Sequence, residues 1–216
     1  MKIGLVDSGR GVIPFVEEIL MQNKINEYYI YIDSKNFPYG NKSSEELGVI
    51  LVNIFSFFES KKIDLLLICC NTLSLVYSRV NIKTSFEVKS ILLFNLKRLN
   101  GRKLLVTEYV YKKLKDYPLI NGKNLASTIE ENSMKKQVKT IRSLRLKENI
   151  VLGCTHYSIC LAIFQKEYPS LSFESYHKEF IYEIPSSKKR KFYVNKNGVE
   201  VFKKYLPLLS IKVVKE

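Results

Sequence analysis

LLLICCNTLS at 65–74 and NIVLGCTHYS at 149–158 echo each other. Each is a short apolar run that ends in a cysteine and then turns polar, the pattern of a buried strand carrying a reactive group to its carboxyl end. Working outward, each is preceded by the same order of signals: strand, helix, strand, helix. KIGLVDS, EYYIYID, IDLLLICC, VKSILLF, KLLVT, NLASTI, NIVLGC, LSFES and the terminal SIKVVK read as strands. Between them lie stretches with helical spacing, such as Met134, Val138, Ile141 and Leu144 on one face. This alternation implies βαβ units, and so an α/β fold of two pseudo-symmetric, doubly wound halves with largely parallel sheets. Each half places one thiol, Cys70 or Cys154, at a strand's carboxyl end, where open α/β sheets bind ligands. If the halves face each other, so do the thiols.

Local signals support the helices. Pro14 suits the first turn of PFVEEILMQ, and Ser43 with Glu46 forms a capping box ahead of a helix reaching about Lys61. The long polar loop SKNFPYGNK between them is where function is expected.

Composition excludes several classes. With 216 residues and 46% hydrophobic content, the chain is long enough to bury one large core or two small ones. No apolar run is long enough to span a bilayer and no leader pattern is visible, so the expected location is cytoplasmic, with no membrane partner. Four cysteines without a C-x-x-C pair suggest neither a disulfide framework nor a zinc site, and no metal is expected. The net charge of +14 reads as a solvated excess, since only SSKKRK at 186–191 is a true cluster; a nucleic-acid partner is the lesser reading.

The chemistry follows from the paired thiols. Thr72 and Thr155 are each positioned to cap the helix after a cysteine. The helix N–H groups and dipole then lower the thiol below its ordinary value of about 8.5 and hold a carboxylate. Two facing thiols suit the inversion of a carbon stereocentre, one removing a proton and the other returning one on the opposite face, with no cofactor required. Asp7, His156 and Glu130 fall at matching strand ends as helpers. Cys69 and Cys160, inside apolar patterns, read as core.

Together these residues resemble the glutamate racemase branch of the aspartate/glutamate racemase superfamily. GLVDSGRG (4–11), FPYGNKS (37–43), ICCNTLS (68–74), TIEE (128–131) and LGCTHY (152–157) carry the resemblance, in family order, and it extends to FYVNKNGVEVFKKYLPLL. It implies a cofactor-independent two-base racemase that interconverts L- and D-glutamate for peptidoglycan precursors. Cys70 and Cys154 would be the acid/base pair, with Asp7 assisting near Cys70, and Glu130 and His156 near Cys154. Ser8, Pro38, Tyr39, Gly40, Asn71, Thr72, Thr107 and Thr155 would line the substrate pocket. The implied domains are residues 1–92, completed by the returning segment 176–216, and residues 93–175, with the active site in the cleft between. Such racemases are commonly homodimers.

The chain departs from the family pattern at several places. Val12 replaces a glycine of D-S-G-x-G-G, so its Cβ is expected to alter the turn or crowd the pocket. Arg10 adds a cation, Ser158 stands for a proline and Val110 for a second threonine. Two alternatives stay open: a racemase of aspartate or another amino acid, and a racemase-like scaffold that binds nucleic acid or protein. Rates over a panel of single enantiomers separate the first alternative, and salt-sensitive DNA binding without the cysteines marks the second.

Overall fold

A computed structural model describes residues 1–215. The first unit runs β1 (Lys2–Asp7), α1 (Ile13–Met21), β2 (Glu27–Ile32), α2 (Ser44–Lys61), β3 (Leu65–Ile68), α3 (Asn71–Tyr77), β4 (Glu87–Ser90) and α4 (Ile91–Leu96). The second runs β5 (Lys103–Val106), α5 (Glu108–Lys113), β6 (Leu119–Asn121), α6 (Leu125–Glu130), α7 (Met134–Arg142), β7 (Ile150–Leu152), α8 (Leu161–Glu167) and β8 (Phe173–Glu174), after which α9 (His177–Tyr182) packs against α1 and leads the chain back to the first unit. The chain ends with β9 (Lys191–Asn195), α10 (Val199–Tyr205) and β10 (Lys212–Val214).

Two parallel sheets result, ordered β10-β9-β2-β1-β3-β4 and β6-β5-β7-β8. The order β2-β1-β3-β4 recurs as β6-β5-β7-β8, so the echo in sequence is an echo in topology. β3 and β7 hold the same place in their sheets, each beside the first strand of its unit and each just ahead of a cysteine. β9 pairs with β2, which returns the end of the chain to the first sheet.

The central strands are buried along their length, as their continuous aliphatic runs require. α2 starts at the expected capping box: the Glu46 N–H donates to Ser43 Oγ (3.1 Å) and the Ser43 N–H to Glu46 Oε2 (2.7 Å). Its Leu47, Leu51, Ile54 and Phe58 form a helical stripe packed with Val6, Leu66 and Ile68. A second cluster joins the units. Ile91 and Leu92 of α4 and Phe180 and Ile181 of α9 pack with Ile3, Leu5 and Leu67 of one sheet and with Leu104, Val106 and Val151 of the other. Each buried side chain of this kind stabilises by about 1.5–3 kcal/mol, so the seam is an apolar joint rather than a loose linker.

Some sequence readings need correction. NLASTI is not a strand: Leu125, Thr128 and Ile129 are buried at i, i+3 and i+4, a helical spacing, and Glu130 is the last residue of α6 rather than a strand end. VKSILLF divides at Ser90 into an end of strand and the short helix α4. β6 and β9 were not foreseen. In α7 the buried face is Gln137, Thr140 and Ile141, while Met134 is exposed, so the expected stripe is rotated. Val12 does not disturb the turn, because its backbone is right-handed helical (φ −73°) and its side chain is buried in the core.

Candidate active site

The carboxyl ends of β1, β3, β5 and β7 surround one cavity of about 410 Å³, and the Cys70 and Cys154 side chains both line it. They arrive from equivalent strands of the two sheets. Ser8, Pro38, Tyr39, Gly40, Asn71, Thr72, Thr107, Thr155 and His156 line the same space. Asp7 and Glu130 do not; they stand behind it.

Cys70 follows β3 and is itself the cap residue of α3, which has no side-chain cap. Thr72 therefore does not cap: it lies in the first turn, with its hydroxyl 3.4 Å from Thr107 Oγ1 of the second unit. Nor is the Cys70 thiol made more acidic. Burial pushes it up, the nearby Asp7 charge adds to that, and a hydrogen bond from the Leu73 N–H only partly opposes them. Ser8 Oγ lies 3.9 Å from the Cys70 sulfur. Asp7 is fully buried and accepts from the Gly9 N–H (2.9 Å) and from Thr155 Oγ1 (3.1 Å), so Thr155 too is a bridge and not a cap. Burial raises the Asp7 carboxyl from 3.8 to about 6, against the opposing pull of His156.

Cys154 precedes a short tight turn, Thr155–Cys160, where an ordinary helix was expected. His156 Nδ1 lies 4.0 Å from Cys154 Sγ, and Nε2 lies 2.6 Å from Glu130 Oε1. The same carboxylate oxygen accepts the Arg10 main-chain N–H at 2.7 Å. Burial alone would lower the affinity of His156 for a proton. The hydrogen bonds to Cys154 and Glu130 and the charge of Asp7 outweigh it, and hold the imidazole well above its ordinary value. Burial likewise opposes ionisation of Glu130, yet His156 and Arg10 hold its carboxyl below the usual range.

This approach of the two units depends on glycine. A Cβ at Gly9 would lie 2.2 Å from Glu130 Oε1, and one at Gly11 would lie 2.3 Å from Thr155 Oγ1. The DSGRG loop thus touches the second unit's acid/base groups because it has no side chains at those two points.

On the binding side, Asn71 is 2% exposed, lines the cavity and has no partner for either amide atom. A buried amide left so is costly unless a ligand completes it. The FPYG loop is held by Tyr39, whose hydroxyl donates to Asp33 Oδ2 (2.8 Å), while Asn36 also donates to Asp33. Sequence reasoning missed the outer wall: Tyr109 and Lys113 of α5, with Lys123 and Ser127, complete the mouth. No motif in the sequence marks these residues; they reach the mouth because α5 follows β5 and the segment after β6 closes on it. Cys69 and Cys160 are core, as expected. Among the described residues no group of three or more His, Cys, Asp or Glu side chains is placed to hold a metal. No helix there is long and apolar enough to cross a membrane.

No family model matches the chain. It is similar to the glutamate racemase of Leptospira interrogans, 27% identical over 200 residues that cover 79% of this chain and 76% of that one. Its fold is that of the Bacillus anthracis glutamate racemase, with a TM-score of 0.76 at 16% identity over 99% of this chain and 96% of that one. The Francisella tularensis glutamate racemase, solved with D-glutamate, gives a TM-score of 0.74 at 17% identity over 100% and 96% of the two chains.

Proposed function

We propose that the chain belongs with the glutamate racemases of the aspartate/glutamate racemase superfamily, and that it interconverts L- and D-glutamate by two-base proton transfer. The observation that carries this is the pair of thiols from mirrored strands lining one cavity. In one direction the Cys70 sulfur, as thiolate, takes the α-proton and the Cys154 thiol returns a proton to the other face; the reverse direction exchanges the roles. The electron pair left on the α-carbon is delocalised into the α-carboxylate. Asn71, Thr72 and Thr107 offer amide and hydroxyl donors for carboxylate oxygens, Thr155 lines the cavity while its hydroxyl donates to Asp7, and Ser8 lies against the Cys70 sulfur.

The helpers act from behind. Glu130 orients His156 and stabilises its charged form, and His156 Nδ1 faces the Cys154 sulfur at 4.0 Å. Asp7 acts on the Cys70 side, and through Thr155 it also ties the two halves together. The reading includes the division into residues 1–92 with 176–216 and residues 93–175. The pairing of β9 with β2 supports it. Peptidoglycan precursors, the known destination of such enzymes' D-glutamate, are the destination we assign to the product.

The test is α-hydrogen exchange. Purified protein in deuterated water, with no added cofactor, is expected to wash deuterium into L- and D-glutamate and to bring each to the racemate. Absence of exchange with either enantiomer would falsify the reading. Faster exchange with aspartate would move the substrate and leave the chemistry.

A further inference from the structure

Arg10 is 3% exposed, yet among the described residues no carboxylate forms an ion pair with its guanidinium. A buried charge without such a partner costs several kcal/mol, and its position needs a reason. Its Nη1 donates to the Tyr205 hydroxyl and to Asn132 Oδ1 (3.4 Å), the guanidinium carbon lies 5.2 Å from the centre of the Tyr205 ring, and Nε has no acceptor. Asn132 stands two residues beyond Glu130. The end of α6 is therefore gripped twice by one residue of the other unit, through the Arg10 main-chain N–H on Glu130 and through the side chain on Asn132.

That end of α6 is a poor place for a carboxylate. Glu130 is the last helical residue, where the unsatisfied carbonyls concentrate negative charge, and the buried Asp7 adds more. The charged groups facing Glu130 are His156 from its turn and Asp7 and Arg10 from the first unit. The Glu131–Lys136 pair lies on the solvent side of the same helix end.

We propose that Arg10 is a positioning residue of the Cys154 half of the site: braced on Tyr205 and Asn132, it fixes an ionised Glu130 against His156. It touches neither the cavity nor the reacting atoms. Its kinetic consequence rests on the racemase reading; its effect on Glu130 does not.

The experiment titrates Glu130 by 13C NMR of protein labelled at the glutamate carboxyl carbons, with the resonance assigned by its absence in Glu130→Gln. In Arg10→Met the Glu130 midpoint is expected to rise by about one pH unit, kcat for either enantiomer to fall about tenfold and KM to change less than twofold. Arg10→Lys keeps the charge and is expected to restore the midpoint and most of kcat. A seam-filling role alone predicts lost stability with an unmoved midpoint, and that result in Arg10→Met overturns the proposal, as does kcat that lysine fails to rescue. Should Arg10→Met not fold, Tyr205→Phe decides: a raised midpoint supports the proposal and an unmoved one overturns it. A wild-type protein that exchanges no α-hydrogen sinks the racemase reading and leaves the midpoint to judge Arg10.

Discussion

Cys70 and Cys154 occupy the same place in two units of the same strand order, yet their surroundings differ in kind. Around Cys70 stand a hydroxyl and the buried carboxyl of Asp7, and burial pushes the thiol up. Beside Cys154 runs a charged chain from His156 to Glu130 to Arg10. Duplicated strands supply equivalent positions, and the loops set what surrounds each. A reaction that is symmetric overall is thereby served by two arms built differently, a thiol raised by desolvation on one side and a hydrogen-bonded, charge-paired His156 and Glu130 beside the thiol on the other.

The sharpest way to break the comparison is to remove either sulfur. Cys70→Ala and Cys154→Ala are each expected to lower racemisation by about a thousandfold or more, as judged by polarimetry. A variant that kept substantial turnover would show that one arm suffices. Glu130→Gln attacks only the charged arm, and its expected cost is about a hundredfold in kcat. Equal loss from Asp7→Asn and Glu130→Gln at every pH would mean that the arms are tuned alike.

A smaller effect tests binding, which the arms share. Asn71→Ala is expected to raise KM by about tenfold with kcat less affected, since a hydrogen bond to a charged group contributes roughly 1.5–3 kcal/mol. Asp7 offers a stability test of the uncharged arm. Its carboxyl titrates near 6 when folded against 3.8 as a free group, so the stability it lends is present below 3.8 and lost as pH rises through 6. Above that, the ionised group costs up to about 3 kcal/mol. Asp7→Asn is therefore expected to raise Tm by a few degrees at pH 8 and to change it less at pH 4, even as activity falls. An equal shift at both pH values would show no such cost. Smallest of all, Cys69→Ala and Cys160→Ala should each cost about 1 kcal/mol of stability in a denaturant titration and alter turnover less than twofold.

The strand pattern was legible because buried parallel strands need continuous aliphatic runs, which β1, β3, β5 and β7 supply, while β2 alternates buried and half-buried residues with period two. α6 was misread because Thr128 and Ile129 are β-branched and favour strands locally, while the packing of Leu125, Thr128 and Ile129 on one face made the segment a helix. β9 was missed because FYVN is short and half-buried, and its partner β2 lies far away in the chain. The candidate lining residues came from motifs, although Phe37 and Asn41 of FPYGNKS also line the cavity and were not among them; Tyr109, Lys113 and Lys123 belong to no motif, and only the fold brings them to the cleft mouth.

By itself the sequence determined the repeated order of strands and helices, the cysteine at the end of each third strand and the glycines that let the loop after β1 pass close to its neighbour. These are local matters of periodicity and steric size, readable one segment at a time. Only the tertiary structure decided that Cys70 would be raised, that Thr72 and Thr155 would bridge rather than cap, and that Glu130 would meet both His156 and Arg10. Proton affinity depends on distance and on the water excluded from a site, and both are set by residues from opposite ends of the chain.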